Sequence, residues 1–223
     1  EYLDGMSLAD YVAKNGPMSE EATRTLLSPI VDALSMLHKN HVTHLDIKPQ
    51  NIMLATAENG EARPVLIDFG LSKHYDKDGK ATSTRLPGGY SEGFSPAEQY
   101  GGITSFSPTA DVYSLAATFY YCLTGKTPPG ALMLMDEDLE NIMPPTASAA
   151  MKSALLHAMA HNPARRTGSV TEFFKEMTEK PAGNEAEPTK RIETSPAPDV
   201  SVPPAPPSTV SNANLPPSPK KPW

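Results

Sequence analysis

The sequence predicts an α+β fold that is mainly α-helical, with one small β-hairpin and a proline-rich tail. Three observations support this fold class. Apolar residues recur three and four positions apart in several segments, two short apolar runs flank a turn-prone stretch, and half of the prolines lie near the C-terminus. The chain has 223 residues, 39% of them hydrophobic, which is enough for one globular domain and an appendage.

Four helices and one hairpin are predicted along the chain. The first helix begins at Ser19 and spans about 19–39. Its apolar positions follow helical spacing, at Leu26, Leu27, Ile30, Val31, Leu34 and Leu37. The hairpin is predicted to pair residues 52–54 with 65–67 around the turn-prone residues 58–61. Further helices are predicted at about 108–124, 147–160 and 169–178, so that one domain occupies residues 1–180.

The C-terminal segment has a different composition from the rest of the chain. Residues 181–223 hold twelve of the 24 prolines, interleaved with Ser, Thr, Ala and Asn. Such a segment buries too little apolar area to offset its chain entropy, so we expect a disordered tail or linker. Its proline runs favour the polyproline helix, which either spaces two domains or binds a partner domain; a spacer is the simpler interpretation.

Charge and cysteine content exclude several classes of function. The formal net charge of −7 argues against nucleic acid as a partner, because a phosphate backbone requires clustered Lys and Arg. The single cysteine, Cys122, lies in the apolar stretch 115–123 and is expected to be buried, which fits a reducing cytoplasm. That stretch is much shorter than the roughly 20 residues of a membrane span. A membrane anchor after Trp223 in a longer parent protein stays open.

Two groups of polar residues carry the strongest functional signal. The first reads HLDIKPQN over residues 44–51 and contains Asp46, Lys48 and Asn51, and the second is DFG at 68–70. Together they resemble the catalytic loop and the magnesium-binding loop of the protein kinase family. The spacing matches at too many positions for an unrelated loop.

The resemblance implies specific roles and two cofactors, ATP and Mg²⁺. Asp46 would accept the proton of a substrate hydroxyl, and Lys48 would place a positive charge near the γ-phosphate of the nucleotide. Asn51 and Asp68 match the family's magnesium ligands, which also hold the nucleotide phosphates. Met53 matches the apolar floor under the adenine ring, although a methionine among Ile and Leu fits any core equally well.

Other positions resemble structural supports of the family rather than its reacting groups. His44 and Phe69 match two members of a stacked apolar column, so that His44 is interpreted as a packed ring. Gly70 is expected to permit the backbone torsions that turn Asp68 toward the metal. Asp111 matches the helix residue that accepts N–H groups of the catalytic loop, with an ordinary N-cap as the alternative.

Three further matches extend the resemblance over about residues 1–178. Glu98 and Arg166 match a buried ion pair of the family, whose loss would damage folding more than chemistry. Ser91 lies where Ser/Thr kinases place a hydroxyl beside the catalytic aspartate, which favours a protein Ser/Thr substrate. Residues 1–3 resemble the hinge between the two lobes, with Leu3 as the expected adenine contact.

The sequence departs from the family pattern at two places. Leu45 replaces the arginine that usually receives an activation-loop phosphate, so switching through a phosphate on Thr82, Ser83 or Thr84 is doubtful. The usual Ala-Pro-Glu is Pro96-Ala97-Glu98, which, like Leu45, resembles bacterial members.

The N-lobe of the kinase fold is expected to be absent, since no glycine-rich loop and no Lys–Glu pair precede Glu1. The chain is therefore interpreted as the C-lobe of a longer protein, inactive alone and with the N-lobe as its partner. Two alternatives are a pseudokinase or truncated lobe that binds proteins, and a less favoured small-molecule phosphotransferase.

Overall fold

The computed structural model describes residues 4–56, 62–76, 89–100 and 107–178. The helices of these residues are α1 (Leu8–Asn15), α2 (Glu20–Lys39), α3 (Pro108–Thr124), α4 (Asp136–Ile142), α5 (Ala149–Ala158) and α6 (Val170–Glu176). The strands are β1 (Gly5–Ser7), β2 (Val42–Thr43), β3 (Ile52–Thr56), β4 (Ala62–Leu66) and β5 (Lys73–His74). Short 3-10 turns occupy Pro49–Asn51, Ala97–Gln99 and Pro163–Arg165.

Most of the predicted elements are present. The helices predicted at 19–39, 108–124, 147–160 and 169–178 correspond to α2, α3, α5 and α6. The sequence did not predict α1, α4, β1, β2 or β5. Residues 1–3, 58–61, 82–84 and 181–223 lie outside the described residues, so the hinge contact of Leu3, the tight turn and the disordered tail stay predictions.

The strands form two small antiparallel sheets that frame the polar residues. In the larger sheet β3 lies between β1 and β4, and the predicted hairpin is confirmed, with Ile52 opposite Leu66 and Thr56 opposite Ala62. In the smaller sheet β2 pairs with β5, so that Val42 lies opposite His74. The segment 44–51 joins β2 to β3, and the segment 67–72 joins β4 to β5. Strand pairing therefore brings these two connecting segments together.

Helix α3 runs through the hydrophobic core. Thirteen of its 17 residues are buried, including the fully buried Leu115 and Phe119. A helix that is apolar on every side is surrounded by other elements, and α3 packs against α2, α5 and α6. Phe119 meets Phe173 of α6 edge-on, with ring centroids 5.5 Å apart. Cys122 is fully buried in this core, as expected, and burial raises the pKa of its thiol to about 12.

Serine begins five of the helices. The hydroxyl of each N-cap serine accepts a backbone N–H of the first turn, which satisfies one of the unpaired donors there. These caps are Ser7, Ser19, Ser107, Ser148 and Ser169. No helix within the described ranges has the length and apolarity needed to cross a membrane.

Candidate active site

The loop after β2 is held in an unusual backbone conformation at Leu45. Its φ of 67° lies in the left-handed region, which a leucine rarely adopts. Both of its backbone polar groups are bound by side chains. The N–H donates to Asp111 Oδ1 at 2.9 Å, and the carbonyl accepts from Gln99 Nε2 at 2.6 Å. These two bonds offset the cost of the left-handed turn and fix the direction of the residues that follow.

Asp111 ties the loop to the first turn of α3. The residue is fully buried, and its carboxylate accepts the backbone N–H groups of His44 at 2.8 Å and Leu45 at 2.9 Å. His38, at the end of α2, lies 2.8 Å from the same carboxylate. The N-cap of α3 is Ser107, so the alternative interpretation of Asp111 as a cap does not hold. The expected contact between Asp111 and the loop is present.

Asp46 lies at the centre of a hydrogen-bonded cluster. Lys48 Nζ is 2.9 Å from both oxygens of the Asp46 carboxylate. Asn51 Nδ2 donates to Asp46 Oδ2 and to the Asp46 carbonyl, each at 2.8 Å. Ser91, 45 residues further along the chain, donates its hydroxyl to Asp46 Oδ1 at 2.8 Å. The structure therefore brings together Asp46, Lys48, Asn51 and Ser91, as the sequence predicted.

This cluster joins three different polar groups in one place. Ser91 Oγ also accepts a hydrogen bond from Lys48 Nζ at 2.8 Å, so a hydroxyl, an ammonium group and a carboxylate are in mutual contact. The Asp46 side chain is 9% exposed and that of Lys48 is 23% exposed, so the site faces solvent at one edge. A hydroxyl beside this carboxylate has a proton acceptor and a neighbouring positive charge within reach.

Asp68 is positioned next to Asn51 by the end of the hairpin. The N–H of Ile67 donates to the carbonyl of Asn51 at 2.9 Å, which continues the pairing of β3 with β4. Asp68 itself has a φ of 61°, in the left-handed region that aspartate tolerates better than most residues. Gly70 has no positive φ, which differs from the expectation for this glycine. It leaves room instead, since a Cβ there would lie 3.0 Å from Asp68 Oδ1, and its N–H donates to that oxygen at 3.1 Å.

Asn51 and Asp68 suit a magnesium ion shared with phosphate. Both hydrogen bonds of the Asn51 side chain come from Nδ2, so its Oδ1 is available as a ligand. Asp68 is exposed and uses only Oδ1 within the described residues. The described residues contain no group of three or more His, Cys, Asp or Glu that would hold a metal by itself. Mg²⁺ usually takes one or two protein oxygens and completes its shell with phosphate and water, so this donor set fits the ion.

Less polar side chains lie near these groups: the rings of His44 and Phe69, and Met53 on β3. The rings of His44 and Phe69 meet edge-on with centroids 4.9 Å apart. Burial lowers the pKa of His44, and its Nδ1 accepts the N–H of Asp46 at 3.3 Å. A buried neutral ring supports the loop rather than exchanging protons. Met53 is half-buried, whereas Ile52 and Leu54 on either side point into the core. Its contact with adenine stays a prediction.

The ion pair between Glu98 and Arg166 is present. Arg166 donates to Glu98 through both terminal guanidinium nitrogens, and the Nη2–Oε2 distance is 2.8 Å. The guanidinium also donates to the carbonyls of Ala160 at 2.7 Å and His161 at 3.1 Å. The Arg166 side chain is fully buried, whereas that of Glu98 is 24% exposed. This pair anchors the segment after Ser91 to the loop before α6.

Three residues with a role in this arrangement were missed at the sequence level. His38 contacts Asp111, Gln99 binds Leu45, and the Ser95 hydroxyl accepts the N–H of Ser91 at 2.9 Å. The N–H of Ser95 in turn donates to the carbonyl of Ser91 at 2.8 Å, which closes a tight turn. Two of these contacts join residues more than 50 positions apart, so no local pattern marks them.

The chain matches the protein kinase domain over residues 1–188 and belongs to the protein kinase family. The resemblance carried by residues 44–51 and 68–70 is therefore confirmed. The helix-rich structure with its small sheets is a protein-kinase-like fold.

Several bacterial Ser/Thr kinases are similar to the chain. Serine/threonine-protein kinase F of Synechocystis sp. is 39% identical over 127 residues, which cover 57% of this chain and 25% of that protein. Serine/threonine-protein kinase C of the same organism is 31% identical over 186 residues, which cover 79% of this chain and 33% of that protein. Serine/threonine-protein kinase PknB of Mycobacterium tuberculosis is 29% identical over 187 residues, which cover 79% of this chain and 29% of that protein. The chain thus spans a quarter to a third of the length of these relatives.

Proposed function

We propose that this chain supplies the phosphoryl-transfer site of a Ser/Thr protein kinase, which moves the γ-phosphoryl group of ATP to a protein hydroxyl. The observation that carries the proposal is the contact of the Asp46 carboxylate with Lys48 and Ser91, at 2.9 and 2.8 Å. Carboxylate, ammonium and hydroxyl groups in this arrangement suit a reaction that depends on alignment and charge neutralisation.

Each residue of the cluster has one task in this proposal. Asp46 orients the substrate hydroxyl and accepts its proton. Lys48 holds the Asp46 carboxylate in place and offers positive charge to the transferred group. Asn51 and Asp68 hold Mg²⁺, which neutralises phosphate charge when it is bound. Ser91 fixes the edge of the site along which the substrate polypeptide approaches.

The expectation that residues 1–223 are inactive alone belongs to the same proposal. A kinase also requires a Lys–Glu pair and a glycine-rich loop over the phosphates, which we expect another part of a longer protein to supply. The limited share of each relative that the chain covers supports testing a longer protein. The protein substrate, the dependence on ATP and a cytoplasmic location are parts of the proposal.

The test is a magnesium-dependent phosphotransfer assay with labelled ATP and a protein substrate mixture. It compares the full-length product of the gene, residues 1–223 alone, and full-length protein with Asp46→Asn. The matched control is Asp32→Asn, the same chemical change at an exposed position of α2. We expect transfer by the unmodified and Asp32→Asn full-length proteins only.

Two outcomes would count against the proposal. Equal transfer by the Asp46→Asn protein would remove Asp46 from the mechanism. If a folded full-length protein transferred no phosphoryl group, the result would favour the second candidate function, a protein-binding module without catalysis.

A further inference from the structure

A turn next to the catalytic cluster presents one exposed carboxylate. Ser91 contacts Asp46 and Lys48, and Glu92 is the next residue. The turn is rigid, because Ser91 and Ser95 exchange two hydrogen bonds across it. Gly93 has a φ of 80°, and a Cβ there would lie 2.4 Å from the carbonyl oxygen of Pro128. Glu92 is therefore carried at a fixed place beside the site.

The Glu92 side chain lies along the neighbouring loop, against Gly130. Its Cγ and Oε1 are 3.4 and 3.5 Å from the point that a Cβ on Gly130 would occupy, so the glycine leaves room for it. Within the described residues, the carboxylate accepts no hydrogen bond and forms no ion pair. Ordinary exposed carboxylates share this lack of a partner, so the argument depends on where Glu92 lies.

Two aromatic rings pack against each other close in sequence to the same turn. Tyr90 and Tyr100 stack with centroids 4.1 Å apart and planes tilted by 32°, and Tyr90 stays 57% exposed. Burial raises the pKa of Tyr100, and the negative charge of Glu92 raises it further. An exposed tyrosine face beside a carboxylate attracts a cationic side chain through cation–π contact as well as charge.

We propose that Glu92 and Tyr90 select a substrate with an arginine or lysine within two residues of the phosphorylated Ser or Thr. The inference rests on the proposed function, since it concerns the polypeptide that reaches Asp46. An extended chain rises about 3.3 Å per residue, so a side chain two positions from the acceptor lies about 7 Å from it. Glu92, adjacent in sequence to the residue that contacts Asp46, is within reach of such a side chain.

The test uses the full-length protein and a positional peptide library with one fixed Thr. Four positions are tested, the two before and the two after this Thr. One of them at a time is fixed as Arg, Leu or Glu, and the remaining positions are randomised. The proteins compared are the unmodified form, Glu92→Gln, Glu92→Lys, and Glu21→Gln as a matched change at an exposed carboxylate on α2.

We expect the unmodified protein to prefer Arg over Leu by about tenfold in kcat/KM at one or more positions, the size of one good charge contact. Glu92→Gln should reduce this ratio below about twofold, and Glu92→Lys should turn the preference toward Glu. The rate on Leu peptides should change by less than about twofold in both variants, which a purely structural role of Glu92 would not allow.

The possible failures separate the two proposals. Transfer by all four proteins with the same Arg-to-Leu ratio would overturn the role of Glu92 and leave the kinase activity standing. Absence of transfer to every peptide and every protein substrate would overturn the proposed function and this inference together.

Discussion

Leu45 shows how single residues shape the loop of residues 44–51. A left-handed leucine costs roughly 1–2 kcal/mol relative to an ordinary conformation. The structure compensates with bonds from Asp111 and Gln99 to its two backbone groups. The side chain is 1% exposed and packs with Ala110 and Leu71. The Leu45 side chain therefore contributes an apolar contact and carries no charge.

Replacing Asp111 should test how much this arrangement contributes to stability. Asp111→Ala leaves two buried N–H groups and the His38 ring without their acceptor, so we expect a loss of about 3–5 kcal/mol in the free energy of unfolding. Asp111→Asn keeps one acceptor oxygen and should cost about 1–3 kcal/mol. Urea unfolding measures both, with the exposed Asp32→Asn as a control that stays within about 0.5 kcal/mol. Equal costs for Ala and Asn would contradict the assignment of two accepting oxygens.

His44 should make stability depend on pH in a defined direction. Burial lowers its pKa from the ordinary value of 6.5, although the nearby carboxylates of Asp111, Asp46 and Asp68 oppose this effect. Below pH 6.5 the unfolded chain takes up a proton at His44 and the folded chain does not, so the unfolded state is favoured. Stability is therefore highest above pH 6.5, falls as the pH drops toward the lowered pKa, and levels off below it.

The measurement is urea unfolding of the unmodified protein and of His44→Phe between pH 7.5 and pH 5. The unmodified protein should lose more stability over this range, while His157→Gln, at a largely exposed histidine, should follow the unmodified protein. Parallel curves for the unmodified and His44→Phe proteins would show that His44 does not govern the change.

At the level of helices and strands, sequence patterns predicted the two longest helices, α2 and α3, and missed several of the short elements. Helices α2, α3, α5 and α6 combine apolar periodicity or high apolar content with a serine at the start, so their positions could be inferred. Length and burial alone do not separate the predicted helices from the missed ones, since α6 has seven residues with two of them buried and α1, which was missed, has eight with Leu8 and Val12 buried. Strand β1 has three residues and is defined by its pairing with β3.

The same distinction between local and distant contacts applies to the candidate site. Asp46, Lys48 and Asn51 lie within six residues, and their spacing carried the resemblance. Gln99 joins Leu45 across 54 positions, and His38 joins Asp111 across 73. Such contacts depend on how α2, α3 and the segment after Ser91 pack, which no short pattern encodes. Glu92 was not identified for a similar reason, because an exposed glutamate has no distinguishing local signature.

The N-cap serines are expected to contribute unequally to the free energy of unfolding. Ser148 accepts the N–H of Met151 at 3.2 Å and also donates to Glu20 Oε2, in the first turn of α2, at 2.9 Å. Ser148→Ala should therefore lower the free energy of unfolding by about 2 kcal/mol, the upper end for a cap. Ser169→Ala removes a cap that binds Glu172 within its own helix, and about 1 kcal/mol is expected.

A double-mutant cycle with Glu20→Gln isolates the contact between α2 and α5. A coupling energy of about 0.5 kcal/mol or more between Ser148 and Glu20 supports the contact. Strictly additive effects would mean that the two helices do not interact through this pair.

At the level of the whole described structure, α3 links the candidate site to the hydrophobic core. Asp111 in its first turn holds the loop of residues 44–51, and Phe119 further along packs against α6. Changes that loosen the core around α3 should therefore disturb the loop geometry as well. Core substitutions are expected to lower stability and activity together. Substitutions of Lys48 or Ser91, which lie at the edge of the site, are expected to lower activity without a matching loss of stability.

The burial of Cys122 has a practical consequence for measuring these effects. As the single thiol of the chain, fully buried and with its pKa raised to about 12, it can react with an aromatic disulfide reagent only after α3 is exposed. Labelling in native buffer should be slower than in urea by a factor of at least about 10³, and Asp111→Ala should accelerate it. Rapid labelling of the native protein would instead reveal a local opening at Cys122. The labelling rate of Cys122 in the unmodified chain therefore reports how often α3 opens to solvent.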